Sequence, residues 1–255
     1  ATLYRRHFLG PQALLGGSVL LMPLVSFLLV SVPLYPDGFA QYSPGTCASI
    51  DPTSLRFGGN QIILYPGDVI PRDAFSFEAW IRLASANQTK DILVGRGGNF
   101  RIGLNAGRVR ALFNTDNGLA SIETTSALPV GQYAHVVVSY GEHSTSYTGP
   151  RIYIDGVNRT AATPFAGNLL EGTLNVLVGG FGGNGFSGDL ASVGFYSRAI
   201  PTTEAQAHAA LGARAEIPQT NGRIAYYPFD ENNHQSSVQS VYDATGNHYA
   251  GVLGT

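Results

Sequence analysis

From Leu55 onward apolar residues recur at every second position, and Gly, Asn and Asp interrupt the pattern at short intervals. A two-residue period sends alternate side chains to opposite faces of an extended chain, so it fits half-buried β-strands and argues against helices there. Phe75, Phe77, Ala79, Ile81 and Leu83 alternate with Ser76, Glu78, Trp80 and Arg82. Ile92 to Val94 and Phe100 to Leu104 flank a Gly-rich turn, and Val109 to Phe113 runs into the turn Asn114 to Gly118. His135 to Tyr140 and Arg151 to Asp155 are the most β-branched stretches, and Val176 to Gly180 and Leu190 to Tyr196 complete the series. Asp155-Gly156 marks a hairpin turn, because both residues tolerate positive φ. Only Thr202 to Leu211 reads as a helix, opened by Pro201, with Glu204 in its first turn, and closed by Gly212. Many short strands with one short helix predict an all-β fold, a two-sheet antiparallel jelly-roll sandwich.

Composition narrows the function. Charged residues are 13% of the chain, about half the ~25% usual in soluble domains. A formal net charge of -2 supplies no basic field, so a nucleic-acid partner is not expected. Cys47 is the one cysteine, which excludes an intrachain disulfide and any cysteine-based zinc site. Pro44-Gly45-Thr46 before it lacks the apolar residue that a lipidation motif expects.

The first part of the chain follows different physics. No charged residue lies between His7 and Asp37, and Ala13 to Leu34 is strongly apolar without helical periodicity. As a helix, that run would extend ~33 Å at ~1.5 Å per residue, enough for a hydrocarbon core of ~30 Å. Residues 1–36 are therefore expected to form a cytoplasmic flank and a transmembrane helix in the lipid bilayer. Arg5 and Arg6 on the N-terminal side hold that end in the cytoplasm, which puts everything after Asp37 outside. Arg5, Arg6, Phe8 and Leu9 resemble a twin-arginine export signal, although two arginines ahead of an ordinary signal anchor fit equally well. The apolar run ends in the bulky Val32 to Pro36, and the one small-x-small site, Gly38-Phe39-Ala40, lies late, so an uncleaved anchor is expected. Residues 37–54, rich in Pro, Gly and Ser, read as a linker to the domain at 55–255.

Four segments in order carry a family resemblance: Phe75 to Ile81, Gly131 to Val136, Ile152 to Gly156, and Phe186 to Gly188 continuing through Phe195 to Ile200. Together they resemble the laminin-G-like group of concanavalin A-like lectin/glucanase domains, from Leu55 to about Leu211. The resemblance implies two packed antiparallel sheets, one of them concave, with frequent roles in carbohydrate or protein binding. Ile224 to Glu231 and Tyr242 to Asn247 look like the opening strands of that family, yet they come last here. A truncated second copy would leave sheet edges unpaired. The preferred expectation is a permuted domain, in which residues 222–255 return beside Leu55 to Leu64 and complete the same sandwich.

Glucanases of the superfamily use paired carboxylates on one strand, commonly Glu-x-Asp-x-x-Glu, with one acid protonating the leaving oxygen. That pattern is absent from the sequence. Asp230 and Glu231 are adjacent, so on a strand they would point to opposite faces. The histidines show no metal spacing, and His135 at the head of an apolar strand reads as a hydrogen-bonded structural residue. No catalytic residue and no cofactor are expected. The resemblance implies one metal candidate, a structural calcium at the rim, for which Asp243 and Asn247 occupy the matching turn. Ala191-Ser192 stand where many relatives carry Asp-Glu, which weakens that site. For a sugar or protein contact the candidates are Trp80, Tyr226 and Tyr227. Two non-catalytic expectations result. The preferred one is an accessory subunit docked on other subunits of a larger membrane complex, since low charge density suits a covered surface. A twin-arginine-like anchor resembles that of the Rieske subunit, making a respiratory or photosynthetic host the expectation. The alternative is a membrane-tethered lectin that grips an envelope polysaccharide.

Overall fold

A computed structural model describes residues 54–58, 61–64, 70–95, 98–144, 147–161, 167–171, 175–180, 183–213, 215–229, 240–249 and 251–254. All fall in one compact unit, Ser49–Thr255. The anchor read at 1–36, the linker apart from Ser54, the export-signal residues Arg5, Arg6, Phe8 and Leu9, Cys47, and the pair Asp230-Glu231 lie outside the described residues. Among the described residues no helix is long and apolar enough to cross a membrane.

In chain order the strands are β1 (Leu55–Gly58), β2 (Gln61–Leu64), β3 (Phe75–Leu83), β4 (Lys90–Gly95), β5 (Phe100–Asn105) and β6 (Arg108–Thr115). They continue as β7 (Gly118–Ala127), β8 (Tyr133–Tyr140), β9 (Glu142–Ser144), β10 (Tyr147–Thr148), β11 (Arg151–Ile154) and β12 (Val157–Asn158). Then come β13 (Thr160–Ala161), β14 (Val176–Val178), β15 (Ser187–Tyr196), the helix α1 (Thr202–Leu211), β16 (Arg223–Tyr227), β17 (Ser240–Val241) and β18 (Gly251–Gly254). Among the described residues one sheet runs β1-β15-β3-β8-β11-β12, with β16 also on β15. A second runs β13-β7-β6-β5-β4-β14-β2-β18-β17, and β9 and β10 form a separate two-stranded pair. Every named pairing in the two sheets is antiparallel, as a jelly-roll sandwich requires.

The inward residues of the two sheets meet in one apolar core. Phe75 and Phe77 of β3 face Phe100 and Phe113 of the opposite sheet and Phe195 of β15, with Phe75 and Phe100 centroids 5.0 Å apart. Fully burying each such side chain contributes roughly 1.5–3 kcal/mol. The helix starts after Pro201 and ends at Gly212, whose φ of 85° suits glycine. Asp155 (φ 50°) and Gly156 (φ 74°) form the two-residue turn that pairs Ile154 with Val157.

Two local expectations are corrected, and one strand was not anticipated. Leu55 to Leu64 is two strands in different sheets, because Gly58 ends β1 alongside β15 and Gln61 begins β2 alongside β14. Gly118–Ala127 is a strand with no strong signal in the sequence, since Ile122 and Thr124 are its only buried residues. Tyr242 to Asn247 is a turn, not a strand. The tail divides between the sheets: β16 lies beside Val193 to Tyr196 of β15, and β18 lies beside β2 with Val252 opposite Ile63.

Candidate functional site

The sandwich has two outward faces, and they differ. On the β1-β15-β3-β8-β11 sheet, the outward residues of β3 are Ser76, Glu78, Trp80 and Arg82, and all but Arg82 are buried. α1 and its flank cover part of this face: Ile200 and Ala205 pack on Val137, Tyr153 and Tyr196, the Ile200 N–H donates to Ser76, and His208 reaches Glu78. Glu78 is wholly buried beneath this cover, and three groups converge on it. His135 Nε2 lies 2.7 Å and His208 Nδ1 2.8 Å from Oε1, and the Tyr196 hydroxyl lies 2.6 Å from Oε2. An ionised carboxylate can only accept, so all three partners donate. Burial alone raises a carboxyl pKa, but the hydrogen bonds and charges of His135 and His208 outweigh it. They hold Glu78 at about 2, against an ordinary 4.5. Burial, helped by the Glu78 charge and hydrogen bond, pushes the Tyr196 hydroxyl far above the phenol range.

The network continues outward. His208 Nε2 is 3.8 Å from Glu204, which takes two hydrogen bonds from Arg198, at 2.6 and 2.7 Å. A carboxylate saturated by donors and sealed from solvent is poorly placed to act as a base or nucleophile. Its physical effect is to fasten α1 to the central strand. In the sequence Glu78 stands among the polar positions of β3 and His208 within α1, and nothing local says that they meet.

The next outward row is Ser192, Trp80 and His135, in register across β15, β3 and β8. Trp80 is 6% exposed and its ring centroid lies 4.9 Å from that of His135. Ala191 is the extra residue of a bulge in β15, which brings Ser192 opposite Trp80. The final row is Arg56, Asp189, Arg82 and Tyr133, where Asp189 accepts from Arg56 at 2.9 Å and Arg82 at 2.8 Å. Tyr226 lies buried under the Arg223 guanidinium, and Tyr227 is in the core against Phe195. Trp80, Tyr226 and Tyr227 therefore present no exposed ring to a ligand, which corrects their reading as contact residues. Their apolar bulk was better satisfied by burial than by solvent.

The calcium candidates serve a turn. Asp243 accepts from the backbone N–H groups of Tyr226 and Thr245 at 3.0 Å and of Tyr249 at 3.3 Å, and Asn247 Nδ2 donates to the Ile224 carbonyl at 2.9 Å. Among the described residues no group of three or more His, Cys, Asp or Glu is arranged to hold a metal ion.

Among the described residues no helix packs on the outward face of β5, β6 and β7. The inward residues of β5 and β6 are buried, so Arg101, Arg108, Arg110 and Leu112 point out. Register puts Arg101 between Val94 and Leu112, and Arg110 between Gly103 and Glu123. Arg108 Nε is 2.5 Å from Glu123, which also accepts from Asn105 at 3.1 Å. Arg101 is 3.8 Å from Asp91, which accepts from Asn184 at 3.1 Å, and Arg110 donates to Ser121 at 3.2 Å. The sequence reading missed these arginines, since an alternating strand marks them only as solvent-facing.

Residues 57–206 match the family model described as the concanavalin A-like lectin/glucanases superfamily. No curated protein matches the chain in sequence. Among solved structures, a candidate carbohydrate-binding protein from Bacteroides ovatus ATCC 8483 superimposes with a TM-score of 0.59 at 18% identity, over 79% of this chain and 58% of that one. The chain thus spans little more than half of that protein's length. Domain 4 of the extracellular arabinanase AbnA from Geobacillus stearothermophilus, solved with arabinotriose, gives 0.49 at 16% identity, over 60% of this chain and 75% of that one. Domains LG4-5 of the mouse laminin α1 chain give 0.48 at 14%, over 64% and 46%.

Proposed function

Since this chain belongs to the concanavalin A-like lectin/glucanases superfamily, we propose that its sandwich is a non-catalytic carbohydrate-binding module. The observation that carries the reading is the asymmetry of the two faces: α1 and its flank pack on Val137, Tyr153 and Tyr196 of one, while the outward side chains of β5–β7 present guanidinium, amide and hydroxyl groups to solvent. Hydrogen-bonding side chains on a rigid sheet suit a polyhydroxylated ligand. The likeness to a candidate carbohydrate-binding protein agrees with this reading. Lack of catalysis is supported by the missing glucanase signature and by the way Glu78, Asp189 and Glu123 are each engaged by donors.

The module is proposed to stand outside the cytoplasm on the apolar segment within residues 1–36. Protease added to intact spheroplasts should then remove it and spare a short N-terminal fragment, whereas full protection would reverse the orientation.

A second reading is an accessory subunit of a larger membrane complex, of respiratory or photosynthetic type. It is favoured by Leu119, 75% exposed, and Leu170, 36% exposed, which both bond or pair to Asn114 at one tip of the sandwich. The full chain in mild nonionic detergent, probed on a glycan panel and by tagged co-purification, separates the two. Micromolar glycan binding by a monomer supports the lectin. Co-migrating subunits with no glycan binding support the accessory role.

A further inference from the structure

We infer that the glycan bound on the β4–β7 face is an acidic polysaccharide, bearing carboxylate or sulfate groups, held by Arg101, Arg108 and Arg110. The inference rests on the carbohydrate-binding reading above and adds the ligand's charge. Three observations converge. Arg108 and Arg110 are two residues apart on β6, and Arg101 lies on the adjacent β5, where its own partner Leu112 is two residues beyond Arg110. All three guanidinium groups therefore share one face of two neighbouring strands.

The charges are also layered. Arg101 and Arg108 side chains are 46% and 44% exposed, while the carboxylates of Asp91 and Glu123 are 14% and 21% exposed. Each carboxylate is already bound twice, by an arginine and an asparagine. A ligand approaching the sheet meets the cations first, with the acids recessed beneath them. Three guanidinium groups above two carboxylates leave an excess of one positive charge. In the contacts described, each arginine uses a single nitrogen, whereas a guanidinium carries five N–H donors suited to bidentate capture of an oxyanion.

The third observation is chemical. Neutral sugars are commonly gripped by stacking on aromatic rings, and the aromatic residues of β4–β7, Phe100 and Phe113, are both turned into the core. On this face affinity must come from hydrogen bonds and charge, which favours an acidic chain over a neutral one.

The test immobilises the full chain in nonionic detergent and passes over it dextran, carboxymethyl dextran, dextran sulfate, polygalacturonate and a panel of neutral plant and microbial glycans. Binding of one or more acidic polymers is expected, weakened by raising salt from 50 to 500 mM and reduced at least tenfold in R101A/R110A. Arg56→Ala, an equal-sign charge loss on the opposite face, should reduce it no more than twofold. The carboxylate and sulfate arms identify which anion is preferred. Binding of neutral glycans alone overturns the inference and leaves the carbohydrate reading standing. Binding of nothing on the panel overturns both. Equal loss in R101A/R110A and Arg56→Ala, or a dimer that the double variant dissociates, also overturns it, the latter by assigning the face to a second copy.

Discussion

His208 on α1 places Nδ1 2.8 Å from Oε1 of Glu78, a wholly buried carboxylate on the central strand β3. The two residues are 130 apart in sequence, and their hydrogen bond joins the one helix among the described residues to the middle of a sheet. With His135 and Tyr196 it makes Glu78 the acceptor for three donors.

Glu78→Gln keeps the shape of the side chain but replaces one acceptor oxygen by a donor, which must face a donor already present. Breaking a buried charged network of this kind costs about 3 kcal/mol. Chemical denaturation should show that loss, and Tyr196→Phe should show a smaller one of about 1.5 kcal/mol. A double-mutant cycle should give strong non-additivity. Midpoints equal to that of the parent protein would remove the clamp from the account.

Acid should act through the same group. Glu78 is held at about 2 in the folded protein against 4.5 ordinarily, so its contribution is complete above 4.5 and disappears as pH falls towards 2. The linked loss is about 3 kcal/mol over that window. Unfolding midpoints measured from pH 5 to pH 2 should fall less steeply in Glu78→Gln than in the parent. Parallel curves would contradict the assignment.

Gly156 and Gly131 both have φ of 74°, but only Gly156 is crowded, with an added Cβ 2.7 Å from the Gln206 Cα on α1. Gly131→Ala would meet nothing and should cost only the backbone strain, about 1 kcal/mol. Gly156→Ala should cost about 2 kcal/mol or more, because helix and turn must also separate. Equal losses in denaturant titrations would mean that α1 does not rest on this turn.

Asp243→Ala removes the acceptor for three backbone N–H groups and should destabilise by about 2 kcal/mol, whether or not calcium is added. Treatment with a chelator should leave the parent's melting temperature unchanged. A marked fall on chelation, reversed by calcium, would restore Asp243 as a metal ligand.

Strand positions were legible wherever an apolar set alternates with a polar one, as in Phe75 to Leu83, because period two survives any arrangement of neighbours. It failed at Gly118–Ala127, where an edge-facing, mostly exposed strand carries almost no apolar alternation. The candidate contact aromatics failed for a related reason. Trp80 sits with the polar set of β3, and alternation alone cannot say that this set is buried.

The sequence by itself determined the all-β class, the hairpin at Asp155-Gly156 and the helix after Pro201, since each depends on dihedral preferences and on periodicity within a few residues. Only the tertiary structure decided that Glu78 meets His135, His208 and Tyr196, and that three arginines gather on one face of β5 and β6. Those juxtapositions come from strand order and from where α1 folds back. They are set by the packing of residues up to 130 apart, and no local window contains that information.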